Sequence, residues 1–148
     1  MDYEKLIKIR NATNYFANMM DLRIVEIKKG YARTAIDPVT KTHLNPINSI
    51  HGGCLFTIGD VTAGSAASSY GIQVTTLDSH FNFLRPGLHT TKLTGEATEL
   101  KHGKNISVYS VQIKDQDATI LAEGTFTFAS LGKPIVLENL FTPLNHAF

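Results

Sequence analysis

Residues 53–70 read GCLFTIGDVTAGSAASSY, and this stretch decides the fold. Apolar or small side chains occupy nearly every position, without the period-two alternation of a half-buried strand. We interpret the segment as a helix buried on all sides, since a surface helix would carry one polar face. Only a strongly curved sheet can cover such a helix in a single domain.

The flanking segments supply a helix and the strands of that sheet. Residues 2–20 predict one amphipathic helix that Asp2 can cap, with a face formed by Leu6, Ile9, Phe16 and Met20. Alternation and turn residues predict strands at 22–28, 31–36, 73–84, 90–100, 105–114 and 119–129. The order indicates an α+β fold, in which a curved antiparallel sheet of about six strands wraps the central helix.

Two strands carry more detailed expectations. Along residues 73–84, Leu77, Phe81 and Phe83 share one face of the strand, and Thr76 lies on the other. Residues 105–114 are apolar on both faces, with a switch near Val108 and Tyr109.

Length and composition limit the organisation of the chain. Its 148 residues fit one domain, predicted as a helix at 2–20, a core at 21–130 and a tail at 131–148. Charged residues make up only 18%, against about 25% usually, which favours a surface covered by another subunit. A net charge of +1 without charge blocks argues against a nucleic-acid partner.

The remaining composition predicts a cytoplasmic protein. The one cysteine, Cys54, cannot form an internal disulfide, and no segment has the apolar length of a signal peptide or a membrane span. The six histidines are scattered without ligand spacing, so no metal is expected.

Asp60 is the residue that does not fit the buried helix. An unpaired buried carboxylate costs several kcal/mol, although a hydrogen bond from a nearby hydroxyl would be an ordinary structural explanation. The same helix opens with His51-Gly52-Gly53, and a glycine pair at a helix start exposes backbone N–H groups that can hold an oxyanion. A tight turn, with His51 bonded to backbone, is the structural alternative.

Spacing restricts how these groups could cooperate. Gly52 and Asp60 are eight residues apart, or roughly 12 Å along a helix axis. A carbonyl held by one and attacked with help from the other needs both within about 3 Å. If they act together, two antiparallel copies of the helix must form an obligate dimer with two composite sites.

These residues also carry a family resemblance. The pattern H-G-G-x6-D at 51–60, the strand end FLRPG at 83–87 and the turn at Gly103-Lys104 resemble the hotdog-fold acyl-CoA thioesterases, especially their PaaI-like branch. The resemblance covers about residues 20–129. It implies thioester hydrolysis in a dimer, with a tetramer expected, and coenzyme A only as part of the substrate.

The resemblance implies individual roles. Asp60 matches the nucleophile or general base, and Gly52 matches the oxyanion donor. Asn45 matches a loop residue that places water or the carbonyl, His51 a supporting histidine, and Thr76 a hydroxyl near the carboxylate. Gly64 stands where some relatives carry a hydroxyl. Substrate contacts would come from Gly53, Phe83, Arg85, Lys101, His102, Gly103 and Lys104.

Three alternatives remain open. A hotdog enoyl-CoA hydratase would need a histidine paired with a carboxylate, and its Asp-x-Asn-Pro pattern is absent because position 43 is His. A non-catalytic acyl-CoA sensor would bind the same ligand without turnover. An interaction domain would have no ligand at all.

Overall fold

The computed structural model describes residues 1–138. Two helices begin the chain, α1 (Tyr3–Thr13) and α2 (Tyr15–Met19), and a third, α3 (Gly52–Ala67), lies at its centre. Short 3-10 turns span Lys41–His43 and Ser68–Tyr70. The six strands are β1 (Arg23–Lys28), β2 (Tyr31–Ile36), β3 (Ile72–Phe83), β4 (Leu93–His102), β5 (Ile106–Lys114) and β6 (Ile120–Pro134).

All six strands form one antiparallel sheet that wraps α3. Their order is β1-β2-β4-β5-β6-β3, so β1 and β3 are the edge strands. This architecture confirms the predicted α+β hotdog fold. No helix in the described part of the chain has the length and apolarity that crossing a bilayer requires.

A glycine sets how closely α3 approaches the sheet. A Cβ at Gly95 on β4 would lie 2.6 Å from Ile58 Cγ2 and 2.6 Å from Thr62 Oγ1. The absence of that side chain lets the Thr62 hydroxyl reach Thr34 on β2, at an oxygen–oxygen distance of 2.7 Å. We call this buried side of α3, which includes Ile58 and Thr62, the closed face.

The prediction that α3 is buried all round is wrong for one stripe. Gly53, Phe56, Thr57 and Asp60 stay partly or fully exposed, and their spacing places them on one side of the helix. We call this stripe the open face. Within a single copy the sheet does not reach around to cover it.

The predicted helix at 2–20 is divided in two. The Asp2 cap is confirmed, since its side chain accepts a hydrogen bond from Lys5 N. At Asn14, however, the side chain accepts from Ala17 N and starts a new helix. The change of direction takes Phe16 off the predicted face, and it is 63% exposed.

Three strand expectations also need correction. In β5, Ser107, Tyr109, Val111 and Ile113 are all buried on one face, so no switch occurs near Val108. Strand β4 begins at Leu93, not residue 90. Strand β6 continues past residue 129 to Pro134, which pairs with Ile72, so the predicted tail starts as strand. Residues 139–148 of that tail lie outside the described residues.

Candidate active site

Asp60 lies on the open face and is held by a hydroxyl from the edge strand. Thr76 Oγ1 on β3 donates to Asp60 Oδ1 at 2.6 Å. The bond fixes the orientation of the carboxylate, and Oδ2 has no protein donor among residues 1–138. The structure therefore brings Thr76 to Asp60, as the family resemblance implied, and leaves one carboxylate oxygen able to accept a proton.

A β-bulge makes this contact possible. The pairing of β3 with β6 shifts register between Thr76 and Asp78, and Leu77 is the extra residue. Because an inserted residue reverses the alternation, Thr76 faces α3 before the bulge and Phe81 and Phe83 face α3 after it. The expectation that Thr76 lies opposite to the two phenylalanines is therefore wrong.

The start of α3 has one free N–H group. His51 Nδ1 accepts from Gly53 N at 2.8 Å, and His51 O accepts from Cys54 N and Leu55 N. Within residues 1–138, Gly52 N–H has no acceptor. His51 thus caps the helix, occupies the Gly53 N–H predicted to bind substrate, and leaves Gly52 as the available donor.

A cleft of about 300 Å³ beside Gly52 gathers four of the predicted residues: Asn45, Gly52, Phe83 and Arg85. Asn45 Oδ1 accepts from Ile47 N and Ser49 N, which shapes the loop. The Phe83 ring packs over Gly52, where a Cβ would lie 3.4 Å from Phe83 Cε1. Arg85 Nη1 donates to Ile120 O at 2.7 Å.

The β4–β5 turn forms a separate cleft of about 240 Å³. Its lining includes His102, Gly103 and Lys104 together with Tyr70. The Tyr70 and His102 rings stack with centroids 3.6 Å apart. Lys101 is exposed and does not line this cleft. The predicted coenzyme A contacts therefore fall into two groups in one chain.

Sequence reasoning missed Arg10, which lines the cleft of Asp60. Burial lowers the pKa of Arg10 from its ordinary value, and the charge of Asp60 acts in the opposite direction. A signal was present, because Arg10 follows Leu6 by four residues and shares its face on α1. An arginine on a buried helix face is unusual unless it has a partner.

Cys54, one residue beyond the glycine pair, is not a candidate nucleophile. Burial raises the pKa of its thiol to about 11, so the reactive thiolate is scarce at neutral pH. No three His, Cys, Asp or Glu side chains in residues 1–138 converge in a way that could hold a metal ion.

Comparison with known proteins places these observations in a family. The thioesterase superfamily model matches residues 47–122, which include Gly52 and Asp60. The acyl-coenzyme A thioesterase PaaI of Escherichia coli is 31% identical over 106 residues, covering 72% of this chain and 75% of the relative.

Solved structures give the same result. The E. coli PaaI protein from the phenylacetic acid degradation operon superposes with a TM-score of 0.82 at 27% identity, covering 90% of this chain and 99% of that one. A hypothetical thioesterase from Streptococcus pneumoniae, solved with coenzyme A, gives 0.77 at 26% identity, covering 85% and 99%. By family match, sequence identity and fold, this chain belongs to the PaaI-like branch of the thioesterase superfamily of hotdog-fold thioester hydrolases.

Proposed function

We propose that the chain hydrolyses acyl-CoA thioesters to free acid and thiol, at two composite sites in a dimer. The family makes it a thioester hydrolase, and the coenzyme A bound to a structural neighbour supports the choice of substrate. One observation carries the site: the same helix holds a free donor at Gly52 and an oriented carboxylate at Asp60.

Two antiparallel copies of α3 would bring these groups together. The open face of each copy, beside the unpaired edge of β3, is where the second copy would pack. Gly52 of one copy then meets Asp60 of the other, which removes the separation of about 12 Å within one helix. Phe56 lies midway between them in sequence, so it would meet its own copy at the twofold axis.

The reaction requires one polarised carbonyl and one proton acceptor. Gly52 N–H donates to the thioester oxygen as negative charge develops there. Asp60 Oδ2 removes a proton from water while the water oxygen attacks the carbonyl carbon. Collapse of the tetrahedral intermediate breaks the C–S bond, and the departing sulfur takes the proton back from Asp60.

A direct attack by Asp60 is the other path. Its carboxylate would displace the thiolate and form a mixed anhydride, which water then hydrolyses. In either path Thr76 holds the carboxylate, and His51 keeps the helix start open. The Asn45 amide nitrogen would orient water or the carbonyl.

Coenzyme A would bind along the basic residues that line or border the two clefts described above. Phe83 and Arg85 stand beside the Gly52 cleft, and His102, Gly103 and Lys104 line the second. Lysine, arginine and turn N–H groups are suitable ligands for phosphates. Lys101 is exposed and could reach the same anion from outside the cleft.

The partners of His43 and His51 argue against the alternative activity of an enoyl-CoA hydratase. In the described chain, the His43 ring bonds Met20 O and Thr40 N, and His51 bonds Gly53 N. Neither ring pairs with a carboxylate there, although a hydratase of this fold needs that pair. A sensor would bind acyl-CoA but would have no use for the Asp60–Thr76 arrangement.

The experiment is thiol release from a panel of acyl-CoA and acyl-carrier thioesters. Asp60→Asn keeps the shape and removes the charge, so we expect the wild-type kcat to fall about 10²–10⁴-fold. Asp117→Asn, an exposed turn residue, is the matched control and should keep wild-type rates. Equal rates for Asp60→Asn would remove Asp60 from the mechanism, and binding without turnover would favour the sensor.

The oligomeric state is measured in parallel by analytical ultracentrifugation. A dimer is the smallest species that can be active, and a tetramer made of two such dimers is also compatible with the proposal. An active monomer would overturn the composite site. The cytoplasmic location stays a prediction.

A further inference from the structure

Arg10 is anchored beside the proposed catalytic carboxylate by a chain of hydrogen bonds. Its Nη1 donates to Ser68 Oγ at 2.9 Å, and Ser68 Oγ donates to Gly64 O at 2.7 Å. Arg10 belongs to α1, whereas Ser68 follows the end of α3. The guanidinium of α1 is therefore fixed against the end of α3 by a residue that is distant in sequence.

Gly64 borders the space that the guanidinium fills. It lies one helical turn after Asp60, and a Cβ there would be 3.7 Å from Arg10 Nη2. According to the family resemblance, some relatives carry a hydroxyl group at the position of Gly64. The structure instead places a cation over the turn that follows the carboxylate.

Arg10 and Asp60 share one cleft of about 210 Å³. Its other lining residues include Asn14, Thr75 and Thr76, which are neutral, and the rest are apolar or glycine. Among residues 1–138, these two are the charged groups that face the cleft from α1, α3, β3 and β6. They do not form a direct ion pair, so the Asp60 carboxylate stays accessible.

A half-buried arginine in this place is costly to the fold. Burial lowers the pKa of Arg10, and its Nε has no acceptor among residues 1–138. A methionine could fill a similar volume without the desolvation cost. The guanidinium and the Asp60 carboxylate carry opposite charges within the same cleft, so they attract each other.

We propose that Arg10 is a positioning residue whose fixed charge attracts the Asp60 carboxylate and helps to hold it in place for the attack on the thioester. The inference rests on the proposed function. Thr76 acts on one carboxylate oxygen by a hydrogen bond, and Arg10 acts on the whole group through its charge.

The test compares Arg10→Met and Arg10→Lys with Lys8→Met, an exposed basic residue on the same helix. We expect Arg10→Met to lower kcat about tenfold with KM within twofold. Arg10→Lys should restore part of the rate, because it keeps the positive charge, and Lys8→Met should equal wild type.

Two outcomes would overturn the role of Arg10. One is wild-type kcat in Arg10→Met. The other is an equal loss of kcat in Arg10→Met and Arg10→Lys, which would indicate structural damage. Melting temperatures of all three variants identify such damage directly.

A second measurement separates this inference from the proposed function. The unfolding free energies of Arg10→Met, Asp60→Asn and the double variant form a cycle that needs no activity. Non-additive values support the Arg10–Asp60 coupling even if no thioester is hydrolysed, and additive values overturn it. Absence of hydrolysis by the wild-type protein would count against the proposed function alone.

Discussion

The closed face and the open face of α3 differ in their packing and in their hydrogen bonds. On the closed face, the Thr62 hydroxyl bonds Thr34, and Gly95 allows the sheet to touch the helix. On the open face, a single copy leaves Phe56 39% exposed beside the Asp60 carboxylate. On the closed face, therefore, the chain satisfies the hydroxyls of Thr34 and Thr62 by itself. Where the proposed reaction takes place, it leaves apolar surface and a free donor for a second copy.

The largest effect is expected from a charge introduced at the centre of the open face. Phe56→Asp would place two carboxylates against each other at the proposed twofold axis, so we expect monomers and at least a 100-fold loss of thioester hydrolysis. Ultracentrifugation and thiol release measure both effects. Val25→Asp on β1, at the opposite edge of the sheet, is the control and should stay associated and active. An associated, active Phe56→Asp protein would contradict the proposed packing.

A methyl group added at Gly95, opposite the closed face, tests the close packing of α3 on the sheet. In Gly95→Ala, the new Cβ would meet Ile58 and Thr62 at 2.6 Å, so we expect the free energy of unfolding to fall by about 1–3 kcal/mol. Denaturant titration measures the change. Gly64→Ala is the comparison, because its Cβ meets atoms no closer than 3.5 Å and replaces a glycine within a helix. Equal stabilities of the two variants would argue against the close contact at Gly95.

A smaller effect is expected from the hydroxyl that orients the carboxylate. Thr76→Val removes the bond to Asp60 Oδ1 and keeps the shape of the side chain. We expect kcat to fall about tenfold, or about 1.4 kcal/mol, with little change in KM. Steady-state kinetics decide this, with the exposed Thr98→Val as control. A change confined to KM would indicate that Thr76 binds substrate instead.

The smallest effect concerns Cys54, which lies beside the open face but is buried. Its pKa of about 11 keeps the thiol protonated at neutral pH. We expect negligible alkylation of the native protein at pH 7 and unchanged activity, with labelling that accelerates as pH rises towards 11. Rapid labelling in urea would serve as the positive control. Fast native labelling at pH 7 would show that the open face exposes more of α3 than the structure does.

Local pattern was sufficient for the fold and for part of the site. The small-residue helix, the strand periodicity and the spacing of Gly52 and Asp60 are all readable within short windows. The pattern indicated an α+β fold with a curved antiparallel sheet around a central helix, and the resemblance identified it as a hotdog fold. The break at Asn14 was missed because the apolar spacing continues across it, although Asn is a common helix cap.

Other features depend on distant parts of the chain. The bulge at Leu77 arises from pairing with β6, so alternation within β3 alone placed Thr76 on the wrong face. Arg10 shares a cleft with Asp60, and its guanidinium is held there by Ser68, 58 residues later in the chain. The bond from Gly53 to His51 is local by contrast, and it confirms the interpretation of His51 as a histidine bonded to backbone; this bond leaves Gly52 as the free donor.

The eight-residue spacing on α3 has a consequence for inheritance. If each site takes Gly52 from one chain and Asp60 from the other, a lesion at Asp60 and a lesion at Gly52 fall on opposite members of a site. A mixed dimer of two such defective chains would hold one site with both lesions and one site with neither. Two inactive alleles could then complement each other in the same cell, because each mixed dimer would have about half the activity of a normal dimer.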